Sequence, residues 1–149
     1  YMIRGQAYDE LGQTRRARHF YDSARIILDT RIDHGSTVAE DFTTRGRIYA
    51  LSGDTASALR IAGKGYHMLP MARDAIAGAA VAEDYAKVLA LTGHPTEAIS
   101  ILDTLLSAPS HLTLVNIKQD AAWDPIRDNP RFQALIEKYE KRYDLKPTI

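Results

Sequence analysis

The chain has no cysteine. That excludes disulfides and thiolate metal sites and leaves the compartment open, with the cytoplasm favoured. It has no net charge, because nineteen basic residues balance nineteen acidic ones, and this balance argues against a general nucleic-acid binder. It has no long apolar run. The longest, Ala75 to Ala82, is eight residues, far short of the ~20 that span a bilayer. No signal peptide is visible, and no membrane insertion is expected of this segment. What is there is ordinary for a globular domain: 149 residues, 45% hydrophobic and 26% charged, enough for a single domain spanning 1–149.

Catalytic and metal-binding patterns are also missing. The histidines His19, His34, His67, His94 and His111 include no pair at i, i+4 spacing, so no helix presents two imidazoles to one metal. Asp29 and Asp33 have that spacing but lack a third ligand nearby, and read as a solvated helix face. The adjacent acids Asp9–Glu10 and Glu83–Asp84 diverge by roughly 100° on a helix, which is poor geometry for an acid/base pair. No phosphate loop, nucleophile elbow or HExxH motif is present. The chain reads as a non-enzyme that requires no cofactor and no metal.

Small residues organise the chain. Gly46, Tyr49, Gly53 and Ala58 are spaced three, four and five apart. Gly53 follows the run Ile48–Tyr49–Ala50–Leu51 and suits a helix C′ position, and Asp54 suits the N-cap of a second helix. The set Gly5, Tyr8, Gly12 and Ala17 repeats these spacings 41 residues earlier. Ala86, Leu89, Gly93 and Ala98 repeat them 40 residues later. A repeat of this period implies stacked helix pairs, none able to bury its apolar face alone. The pairs are expected at about 1–35, 36–70 and 71–108. Within them Thr37 with Glu40 reads as a capping box. Ala17, Phe20, Tyr21, Ala24, Ile27 and Leu28 read as one apolar stripe. Met71 to Thr92 is either one long helix or a turn near Asp74 followed by a helix.

The order Gly-x-x-Tyr-x-x-x-Gly-x-x-x-x-Ala resembles the tetratricopeptide repeat. The family's first aromatic falls on Tyr1 and Phe42, its second-helix aromatic on Tyr21, and its closing proline on Pro70. Arg4 and Arg45 stand where the family usually has Leu, and the period exceeds the family's 34. HEAT-like repeats have a closer period but lack this glycine–tyrosine–glycine order. The resemblance implies an all-α, right-handed superhelix of three helix pairs.

From Pro109 the repeat gives way to a tail, 109–149. It contains Trp123-Asp124-Pro125-Ile126-Arg127-Asp128-Asn129-Pro130-Arg131-Phe132, which resembles the W-D-P-[LI]-R-x-x-P-R-F motif closing bacterial tetratricopeptide proteins. Asn129–Pro130 is a helix start, and Phe132, Leu135, Ile136, Tyr139 and Tyr143 share one face. A solenoid's last apolar face needs a cover, so Trp123 and this helix are expected to cap the array. Tyr1 already falls within a repeat, and the chain is expected to be part of a longer protein.

The resemblance implies a protein-interaction module, accessory to a larger bacterial signalling protein, that takes a peptide or partner helix on a concave face of first helices. Self-association into a homo-oligomer is the alternative. Equivalent positions place Met2, Thr43 and Glu83, then Gln6, Arg47 and Lys87, then Asp9, in that groove, with Arg47 and Lys87 as adjacent cations.

Overall fold

A computed structural model describes residues 1–108 and 110–142. The expected break at Pro109 and the last face residue, Tyr143, lie outside them. The described residues form helices α1 (Met2–Glu10), α2 (Thr14–Asp33), α3 (Ala39–Leu51), α4 (Thr55–Met68), α5 (Ala77–Leu91) and α6 (Pro95–Ser107). These are followed by α7 (Leu114–Gln119), a 3₁₀ segment (Ala121–Ile126) and α8 (Pro130–Arg142). No strand occurs among the described residues, and no helix there is long and apolar enough to cross a membrane.

The turns between paired helices follow from glycine. Gly12, Gly53 and Gly93 have φ of 67°, 84° and 82°, the left-handed region in which a Cβ is penalised. Each ends one helix so that its partner can fold back. Asp54 caps α4 by accepting the Ser57 N–H at 3.0 Å, and Pro95 opens α6, where its missing N–H leaves no intrahelical bond unmade.

Helices α1 and α2, α3 and α4, and α5 and α6 pack as pairs, and α3 touches α2 and α5 while α4 touches α5. Small residues set the separation. A Cβ on Gly46 would lie 2.5 Å from Ala62 Cβ and 2.9 Å from Ala62 N, so α3 and α4 approach too closely for any side chain there. Ala17 and Ala58 are fully buried, as expected where paired helices touch. The α2 stripe Ala17, Tyr21, Ala24 and Leu28 packs with Ile48 of α3. Ala58 and Ala62 of α4 pack with Val88 of α5. Two members of the expected α2 stripe differ: Phe20 is half-buried and Ile27 is exposed, because α3 covers only the strip nearest Ala17–Leu28.

Two local expectations change. No Thr37–Glu40 capping box forms, because α3 starts at Ala39, two residues beyond Thr37. The helix has no side-chain cap; Ser36 instead closes the turn before it, accepting from Val38 N at 3.2 Å and donating to Asp41 Oδ2 at 2.6 Å. Between Pro70 and α5 the chain turns, and Asp74 Oδ1 accepts from the N–H groups of Ile76 and Ala77. One long helix is excluded.

The tail is a cap. Trp123 is fully buried in a cluster with Ala86 and Leu89 of α5, Leu102 and Leu105 of α6, and Phe132, Leu135 and Tyr139 of α8. Asn129 Oδ1 caps α8 through Arg131 N at 2.9 Å. Asp124 instead holds Arg127. Tyr139 donates to Asp103 Oδ1 at 2.7 Å, tying α8 to α6. The short α7 opens with a capping box between Thr113 and Asn116.

Candidate partner-binding face

The first helices of the three pairs meet at one face. A hollow of about 110 Å³ lies there, lined by Gln6, Asp9 and Glu10 of α1, Arg47 and Leu51 of α3, and Leu91 of α5. Asp120, Ala121 and Ala122 of the tail close its far side. Periodicity brings Gln6 and Arg47 here, since each stands one residue after the small residue of its helix, and Asp9 lies three residues after Gln6 on the same side of α1.

The cations are not free. Arg47 donates to Asp84 Oδ1 at 2.7 Å, from α3 to α5, with both side chains mostly buried. Lys87 lies 2.8 Å from Glu83 and 2.8 Å from Asp120, and its ammonium sits 5.8 Å from the Trp123 ring centroid. Burial alone would lower the Lys87 ammonium; the bonds to Asp120 and Glu83 outweigh it and hold the pKa above its ordinary value. Burial alone would raise the Asp120 carboxyl; the bonds from Lys87 and Ala122 N–H outweigh it and leave it below its ordinary value. The expectation of two cations presented to a partner is thereby corrected: both are neutralised within the chain.

The remaining expected residues divide. Thr43 is fully buried, its hydroxyl donating to Glu40 O, and it packs against Gly65. It therefore lies off the face, because α4 covers that side of α3. Met2 is half-buried against the α2 stripe. Glu83 sits in a second, polar cleft of about 420 Å³ between α5 and α7, with Lys87, His111, Asn116 and Asp120, where it also takes His111 Nε2 at 2.6 Å. Asp9 accepts from Tyr21 hydroxyl at 2.7 Å; burial first, then this bond, pushes the Tyr21 phenol above its ordinary range.

Charge on the face is mixed, as expected, but with its two cations paired inside the chain the carboxylates dominate it. The carboxylates Asp9, Glu10, Glu83, Asp84 and Asp120 outnumber the cations Arg47 and Lys87. Neither Asp9 nor Glu10 has a cation at ion-pair distance among the described residues. Sequence reading placed Glu10, Leu51 and Leu91 on this face by the same repeat positions, and missed Asp84 and Asp120. Asp84 lies about one turn before Lys87 on α5, the first helix of the pair after Arg47's, but nothing local shows that it meets Arg47. Asp120 had no signal either, since only the fold of the tail brings it to Lys87.

Asp29 forms ion pairs with Arg45 at 2.6 Å and Arg25 at 3.1 Å, so it is a strut between α2 and α3. No three His, Asp or Glu residues gather in a metal-binding arrangement among the described residues. No family model, curated protein or solved structure matches the chain.

Proposed function

We propose that this chain is a tetratricopeptide-like interaction module. In this reading three helix pairs form a right-handed superhelix, the tail caps it, and the face of α1, α3 and α5 takes an extended segment of a partner protein. The observation that carries this reading is the hollow where the three first helices meet, whose lining combines an apolar part, Leu51 and Leu91, with the exposed carboxylates Asp9 and Glu10. A segment with an aliphatic side chain next to a basic one fits that lining: the first packs on Leu51 and Leu91, and the second meets carboxylates that lack a cation. The tail motif supports an accessory role beside a signalling domain, as in the proteins it resembles.

The test is fluorescence anisotropy with three labelled twelve-residue peptides, leucine-lysine, leucine-serine and leucine-glutamate in composition. The basic peptide should bind, and the Asp9→Lys/Glu10→Lys double variant should lose that binding while still melting cooperatively, at a temperature lowered by loss of the Tyr21–Asp9 hydrogen bond. Equal affinity for all three peptides, or basic-peptide binding unchanged in the double variant, would sink the reading.

A further inference from the structure

The polar cleft between α5 and α7 adjoins the hollow of the first helices. Asp120 lines both cavities, and its side chain is 33% exposed. One wall of the cleft is α5, with Glu83 and Lys87; the other is the tail, with Asn116 and Gln119.

The tail wall is held in place from behind. Leu114 and Ile117 turn one side of α7 into the core. Asn116 and Gln119, three residues apart, stand on the exposed side. Arg127 Nη1 donates to Lys118 O at 2.9 Å and Nη2 to Asp120 O at 3.3 Å, while Asp124 holds the same guanidinium. The run from Trp123 to Arg127 thus fixes this wall as well as filling the core.

The hydrogen-bonding capacity left in the cleft is that of amides. The carboxylates of Glu83 and Asp120 are already taken by Lys87. Asn116 uses its Oδ1 for the Thr113 cap, which leaves its amide N–H groups. The Gln119 side chain makes no hydrogen bond among the described residues, which leaves both its N–H groups and its carbonyl. Donors and an acceptor side by side match the two sides of a peptide unit. A helical partner has spent those groups within itself, whereas an extended one has them free.

We propose, resting on the interaction-module reading above, that the cleft is a second subsite for the same partner segment and binds its main chain. The Asn116 and Gln119 amides donate to a carbonyl of the segment, and Gln119 Oε1 accepts one of its N–H groups. Leu91 of the hollow and Glu83 of the cleft are eight residues apart on α5, roughly 12 Å along the helix. An extended chain covers that in about four residues. The tail is therefore a binding element as well as a cap.

The test uses the full chain and a labelled six-residue peptide, serine apart from one central leucine–lysine pair. Two longer peptides add six alternating alanines and serines at one end or the other. One extension should tighten binding by roughly tenfold, the scale of ~1.4 kcal/mol. N-methylation scanned along that extension should remove the gain about four residues from the pair and leave it elsewhere. Gln119→Ala protein, altered at an exposed position, should bind the short peptide as wild type does and show no gain from the extension. No gain from either extension overturns the proposal, and so does a gain indifferent both to N-methylation and to Gln119→Ala. In those cases short-peptide binding that still requires Asp9 and Glu10 leaves the interaction-module reading standing. A short peptide that does not bind at all overturns both.

Discussion

Lys87 of α5 grips Asp120 of the tail at 2.8 Å, directly above the Trp123 ring that fills the end of the core. This contact joins the last helix pair to its cap. It also explains why a lysine in line with the proposed partner-binding face is unavailable to a partner. Its side chain is only 10% exposed and holds a second carboxylate, Glu83.

Replacing Lys87 with Met should therefore destabilise the fold, because two carboxylates would remain partly buried without their cation. Breaking a buried pair in this way costs about 3–5 kcal/mol. Arg47→Ala, which leaves Asp84 unpaired on α5, should cost about 1.5–3 kcal/mol, the range for hydrogen bonds to charged groups. Urea denaturation measures both. Wild-type midpoints would show these side chains to be surface groups after all.

Two glycines should respond differently to alanine. Gly46→Ala forces a Cβ against Ala62 Cβ, Ala62 N and Ala58 O, and overpacking of this kind costs about 1–3 kcal/mol. Gly53→Ala meets no atom within 4 Å, so its cost is only the left-handed backbone, about 1–2 kcal/mol. A compensating Ala62→Gly change removes the Cβ contact but not the backbone ones, so it should rescue Gly46→Ala in part and leave Gly53→Ala unchanged. Double-mutant cycles from thermal melts check this.

Trp123→Ala should cost about 3–5 kcal/mol, the range for large aromatics removed from a core. Trp123→Phe should cost much less, because the indole N–H is buried without a hydrogen-bond partner and its removal relieves an unmet donor. Truncation after residue 108 exposes Leu102, Leu105 and Leu106 and should give a molten or insoluble fragment. A soluble truncation with a cooperative melt would make the tail an appendage.

Acid should loosen the cap before the first two helix pairs. Lys138 and Tyr139 hold the Asp103 carboxyl below its ordinary value, and Asp120 is also depressed. Their folded values lie below the unfolded ~3.9, so the stability they add is complete above that value. It is lost as pH falls through the folded values. At high pH the sign reverses. Lys87 is raised, and burial, first among the causes, raises the Tyr139 phenol, so both contributions are present below the unfolded values and lost as pH rises through the folded ones. Trp123 fluorescence followed from about pH 5 to pH 2 should change with a shallower slope in Asp120→Asn. An unchanged slope would remove Asp120 from the acid response.

Sequence periodicity by itself determined the helix pairs, their glycine turns, and the burial of Ala17 and Ala58. These follow from local rules: a residue needing positive φ, a cap three residues from its N–H, and an apolar side every three or four positions. Trp123 and the α8 stripe were legible as a cap for the same reason. Only the tertiary structure decided the charge of the candidate face. Arg47 and Asp84 are 37 residues apart, and Lys87 and Asp120 are 33 apart. No local spacing reveals that they meet, since those contacts depend on how α5 lies on α3 and where the tail returns. Thr43 occupies a groove position in the repeat, yet it is buried because α4 crosses that side of α3. A helical period says which side a residue is on, whereas what stands opposite is set by the packing of elements distant in sequence.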